Sequence, residues 1–136
     1  MADFKIKDGE KLRTTFATIA SATTVAAGRF VEIESGIIID GTATGTKLAW
    51  APSGSADGET EIEITVGNDF TLVGTGDEVF AVTQKGTLVD LVMSGTDQQI
   101  DVGISSTNVL QISASSDAGV VDSASNIEVR INKPIH

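Results

Sequence analysis

The sequence predicts an all-β single domain, an antiparallel β-barrel or β-sandwich, on three observations. Aromatic residues are only 4% of the chain, so its core must be assembled from Val, Ile, Leu and Ala. Short apolar/polar alternations recur roughly every eight to twelve residues, the spacing that sandwiches and barrels need. Fourteen glycines separate these runs, as pleated segments joined by tight turns require. At 136 residues, residues 1–136 form one domain, of which 1–13 are an extended N-terminal arm. A chain of this size buries roughly two-thirds of its unfolded surface and needs no covalent staple.

In the arm, Phe4 and Ile6 alternate with Lys5 and Lys7 before Asp8-Gly9 breaks the pattern. In the stretch 12–20, Leu12, Phe16 and Ile19 are spaced ambiguously, and the threonines favour a strand. Residues 21–28 are weakly patterned and fit either a loop or a short helical turn. Residues 29–33 alternate well. After Ser35-Gly36, residues 37–40 read as a strand buried on both faces or as a bulged continuation. Residues 47–51, KLAWA, end at Pro52, and SGSADG (53–58) is a surface loop rather than a domain boundary. In ETEIEITV (59–66), Ile62, Ile64 and Val66 oppose Glu61, Glu63 and Thr65, so one face is wet.

The strongest strand signals lie in EVFAVTQKGTLVDLVM (78–93). The pattern there predicts a hairpin turning at Gln84-Lys85-Gly86, where Gly86 tolerates positive φ. In its first arm Phe80 and Val82 alternate with Val79, Ala81 and Thr83; in its second Asp90 marks the face nearer water. Beyond it, 98–104, 109–113 and 127–132 read as strands, the last with Glu128 and Arg130 on the wet face. The polar stretch 115–125 reads as loop.

The formal net charge is −10, which opposes nucleic-acid binding, since phosphate contacts need clustered Lys and Arg. The charge is unevenly placed. Residues 1–29 carry five cations against three acids, while the rest carries four against sixteen. This combination predicts a self-repelling acidic body with a mildly basic, adhesive leading segment. No apolar run reaches the roughly 18 residues of a membrane span, and TTFATIASATTVAAG makes a poor secretory signal. Without cysteine, disulfides and thiolate metal sites are excluded, which fits a reducing cytosol.

No constellation of catalytic residues emerges, and the expectation is that the protein is not an enzyme and binds no cofactor or metal. GTATGTK (41–47) has three residues between its glycines and a threonine before its lysine, so it reads as a turn rather than a phosphate loop. Gly74-Thr75-Gly76-Asp77 likewise reads as a turn. His136, the single histidine, ends the chain, a poor place from which to complete a triad. Glu61 and Glu63, about 7 Å apart on one strand face, would fit an inverting glycosidase pair, but a solvated strand face explains them. Asp117 and Asp122 share a glycine-containing loop whose spacing does not match a calcium-binding loop. Trp50, at a strand end, fits core packing or a subunit interface.

Three features together carry a resemblance: the leading ADFKIKDGE, a body rich in glycine, threonine and valine, and AGRFVEI followed later by GTGDEVFAVTQKGTLVDL. In these the chain resembles the head decoration, or cement, proteins of tailed bacteriophages. The resemblance implies a structural protein of the virion, made in the host cytoplasm and placed on the outer surface of the head. There it would stabilise contacts between major capsid protein subunits, and self-associate as a homotrimer in preference to a dimer. The leading segment would pair with a capsid strand, making Phe4, Lys5, Ile6, Lys7, Leu12, Arg13 and Trp50 the partner-binding residues. The alternative is a tail or fibre β-module that binds a host-surface glycan.

Overall fold

The computed structural model describes residues 3–9, 12–21, 23–56, 58–79, 81–113 and 127–135, the side chains of Asp8, Gly9 and Val82 excepted. Phe80, Asp117, Asp122 and His136 lie outside the described residues. In chain order the strands are β1 (Lys5–Gly9), β2 (Arg13–Thr18), β3 (Arg29–Glu34), β4 (Ile37–Asp40), β5 (Ala49–Ala51), β6 (Glu61–Val66), β7 (Phe70–Gly74), β8 (Leu88–Ser94), β9 (Asp97–Asp101), β10 (Leu110–Ile112) and β11 (Ile127–Ile131). They form a six-stranded sheet, β1-β7-β11-β10-β8-β9, and a five-stranded sheet, β2-β6-β5-β3-β4. Every strand pairing within the sheets is antiparallel. Of the two architectures expected, the chain takes the β-sandwich; neither sheet closes into a barrel.

Strand alternation sends side chains in two directions, and both directions find cover. Phe30, Leu48 and Trp50 of the five-stranded sheet and its loops pack with Phe4, Phe70, Leu72, Leu91, Leu110 and Val129 in one cluster. Val31, Ala49, Ala51, Ile62 and Ile64 point the other way into a second cluster with Ile19, Val25 and Ile135. That second cluster is enclosed because the sheet curls: its edge strands meet where Ile19 bridges Ile38 and Ala20 N donates to Ile38 O at 2.9 Å. The six-stranded sheet curls similarly, with Gly76 bridging Ile100 beside β9.

The hairpin centred on Gln84-Lys85-Gly86 does not form. Gly86 does take positive φ (78°), but Val82–Gln84 make one 3-10 turn, and Gly86 N donates to Ile112 O. The Gln84 side chain accepts from Ala81 N (2.7 Å) and its carbonyl accepts from the Thr87 hydroxyl (2.7 Å), so local bonds favour the turn over an extended arm. The real hairpin is β8-β9, which turns at Gly95 (φ 62°).

Three polar residues expected on wet faces are buried instead. Asp90 is 4% exposed and accepts from Ser106, Thr107 and Asn108 N, at 3.1, 2.9 and 2.9 Å. Glu128, on a strand between β7 and β10, is covered and pairs with Lys7. Thr65 faces Trp50 across β5-β6 and is likewise buried. Residues 37–40 are not buried on both faces either: they pair with β3 around Ser35-Gly36, and Ile37 stays partly exposed.

Candidate functional site

The leading segment is woven into the sandwich rather than extended from it. β1 pairs with β7, with a bulge between Ile6 and Asp8. Phe4 is completely buried, its ring 4.4 Å from that of Phe30, and its N–H donates to Gly28 O at 2.8 Å. Gly74 makes this possible, since a Cβ there would overlap the Phe4 ring. Asp3 is tied in as well: its Oδ2 accepts from Arg29 Nη1 (2.8 Å) and Gln98 N (2.9 Å). Arg29, itself buried, also makes a bidentate pair with Asp40 at 3.1 and 2.9 Å and donates to Thr96 O. Gln98 spans the sheets, bonding both Phe30 N (2.7 Å) and Phe30 O (2.9 Å). These bonds explain why Asp3 and Phe4 cannot swing free.

The partner-binding residues expected from the sequence therefore divide. Phe4 is core, and so is Trp50, 7% exposed with its ring 6.3 Å from Phe70. Neither can meet a partner without unpacking the sandwich, which corrects their assignment as contact residues. Lys7 is engaged with Glu128 at 2.7 Å. Lys5, Ile6, Leu12 and Arg13 remain on the surface. They lie along one side of the sandwich, because β1 and β2 are the terminal strands beside β7 and β6, and each pair is joined by a short connection. Arg13 lies over Gly67 of the β6-β7 turn.

Phe16, on β2, was not among the expected contact residues, yet among the described residues it is the most exposed of the large apolar side chains at 66%. Its signal is present in RTTFAT, a run with high strand propensity and a single charge, but spacing alone does not show that this strand lies at an edge.

Elsewhere, titratable groups converge at one place. Asp90 and Asp101 are directly opposite in the β8-β9 ladder, and Asp77 accepts from Val102 N at 3.0 Å. Burial, a hydrogen bond with Asp77 and the charges of Asp77, Asp90 and Glu78 push the Asp101 carboxyl up to about 6. Among the described residues no group of three or more His, Cys, Asp or Glu is arranged to hold a metal ion. A cleft of about 510 Å³ is lined by Asp3, Arg29, Asp40, Met93 and Asp97, but the Arg29 donors in it are already spent on Asp3, Asp40 and Thr96. No helix among the described residues is long and apolar enough to cross a membrane.

Set against protein-family models, curated proteins and solved structures, the chain matches none.

Proposed function

We propose that this protein is a structural adhesion module, a capsid cement protein that binds the outer surface of a tailed-phage head and braces neighbouring major capsid protein subunits, with no reaction centre of its own. The observation that carries the reading is the β1/β2 side of the sandwich. There exposed Ile6, Leu12 and Phe16 accompany Lys5 and Arg13 on a molecule whose net charge is −10. An apolar strip with cations at its rim suits contact with an acidic or neutral protein surface, while the acidic remainder keeps decorated particles dispersed. The likeness of the leading segment and the body to cement proteins supplies the class of partner.

Many copies on one shell multiply weak contacts, and binding to the assembled lattice alone stabilises it by mass action. Because Asp3 and Phe4 are structural, the contact is made by the exposed face of a folded edge rather than by a detachable peptide. The test is co-sedimentation with expanded, undecorated phage heads. Saturable binding that raises the temperature of shell disruption is expected, and Lys5→Glu with Ile6→Glu should abolish it while leaving the fold intact. Failure to bind any such head, or undiminished binding by the double variant, would count against the reading.

A further inference from the structure

β9 is a terminal strand of the six-stranded sheet, and the segment 75–78 lies along its outer edge. Three hydrogen bonds fasten it there. Ile100 N donates to Thr75 O (2.9 Å), Asp77 N donates to Ile100 O (2.9 Å), and Val102 N donates to Asp77 Oδ1 (3.0 Å). Gly76 lies flat on the sheet, since a Cβ there would come within 2.8 Å of the Ile127 and Val102 side chains. Thr75, Asp77 and Glu78 are exposed, so main-chain bonding holds the segment more than side-chain burial does. It runs from the end of β7 at Gly74 toward the 3-10 turn Val82–Gln84, and a short stretch held in this way can open without unfolding the sheets.

Carboxyl groups gather at the same seam. Asp77 and Glu78 belong to the segment, Asp101 to β9, and Asp90 stands opposite Asp101 on β8. Asp90 is buried, with the N–H groups of Ser106, Thr107 and Asn108 on its oxygens. The loop 102–108 that supplies those donors has no ionisable side chain. The 3-10 turn approaches at Gly103, where a Cβ would lie 3.5 Å from Gln84 Nε2 and 3.6 Å from Glu78 Oε1. The cations on the neighbouring elements are Lys85, just after that turn, and Lys133, whose Nζ donates to Thr107 O at 2.8 Å.

We infer that the segment 75–78 is a pH-controlled latch, fastened to β9 while Asp101 is protonated, and loosened to uncover the β9 edge when Asp101 ionises beside Asp77, Asp90 and Glu78. A hydrogen bond between two carboxyl groups needs a proton on one of them, so ionised Asp101 loses its bond with Asp77 and meets like charge instead. Burial first, then the Asp77 hydrogen bond and the charges of Asp77, Asp90 and Glu78, push Asp101 up to about 6 from 3.8. Lifting the segment withdraws Asp77 and Glu78 and admits water, which returns the carboxyl toward 3.8. The closed form therefore binds the proton more tightly. Closure is strongest below about pH 4 and weakens as pH rises through about 6. These two values bound the change in the closing equilibrium at about 150-fold, and solvent screening at a partly exposed group reduces the expected change to about tenfold. The latch does not depend on what the protein binds.

Amide hydrogen exchange followed by NMR tests it in the intact chain. Between about pH 4.5 and about pH 7.5, protection of the Asp77, Ile100 and Val102 N–H groups, corrected for intrinsic rate, should fall about tenfold relative to that of Leu72 and Val129 in the core. In Asp101→Asn, whose side chain can donate to Asp77 at every pH, protection should stay at the acid level. In the same wild-type samples the Asp101 carboxyl should titrate near 6. If the asparagine variant misfolds, Asp77→Asn serves: it keeps an oxygen for Val102 N, and loss of its charge should lower the Asp101 midpoint and shrink the fall in protection. Protection that ignores pH, that falls as far in Asp101→Asn, or that is lost equally by the core amides would overturn the proposal, as would an Asp101 midpoint near 3.8.

Discussion

β1 and β2 lie along the same side of the sandwich and come from the same leading stretch, yet they are held in opposite ways. β1 follows two buried anchors, Asp3 in the Arg29 and Gln98 network and Phe4 in the core. β2 has its pairing to β6 and, at its far end, the bridge from Ile19 to Ile38, but no buried polar anchor, and Phe16 is open to water. The difference shows that basic and apolar residues near a chain terminus do not by themselves make a tether. What decides is whether buried groups on the rest of the molecule have partners waiting for them.

The comparison can be broken most forcefully at Arg29. Its replacement by alanine leaves Asp3 and Asp40 without their cation and should cost about 3–5 kcal/mol in urea unfolding, whereas Arg13→Ala on the open side should cost almost nothing. Equal losses from the two would show that the anchor has been misplaced. Phe4→Ala comes next, at about 3–4 kcal/mol, because it empties a site packed against Phe30 and Gly74. A stability near that of wild type would mean that the first residues do detach.

A smaller effect is expected at the closed β9 edge. Asp101 binds its proton more tightly in the fold, at about 6, than at its ordinary value of 3.8. Its neutral form therefore contributes fully below about pH 4, and that contribution fades as pH rises through about 6. Asp101→Asn should raise stability by about 1 kcal/mol at pH 7.5 relative to wild type, with the difference shrinking by pH 4.5. Thermal melts of both proteins across that range check it; a gap that widens toward acid would reverse the sign. Smallest of all, Phe16→Ala should change monomer stability by no more than about 0.5 kcal/mol, since that ring packs on little within its own chain.

Much of this architecture was legible in the residues. The alternations read at 29–33, 59–66 and 127–132 became the strands Arg29–Glu34, Glu61–Val66 and Ile127–Ile131, because period-two patterning fixes a pleated segment whatever its neighbours are. Which face was buried was less legible. Asp90 and Glu128 looked solvent-facing because they are charged, but three backbone N–H groups wrap the first and Lys7 covers the second, and those partners lie far away in sequence. The hairpin at 84–86 failed for a similar reason: Gly86 has the φ the turn demanded, while the strand that β8 needed was supplied by Asp97–Asp101. At the candidate site, the exposed positions Lys5, Ile6, Leu12 and Arg13 were marked by composition. Phe4 and Trp50 were drawn there by their chemistry and belong to the core, and Phe16 was hidden because edge position is a property of sheet order.

Amide hydrogen exchange read residue by residue along 14–17 tests the difference between the two strands most directly. Thr14 and Phe16, whose N–H groups point away from β6, should exchange rapidly while Thr15 and Ala17, bonded to β6, stay protected. Uniform protection of all four residues, or rapid exchange of all four, would contradict the account.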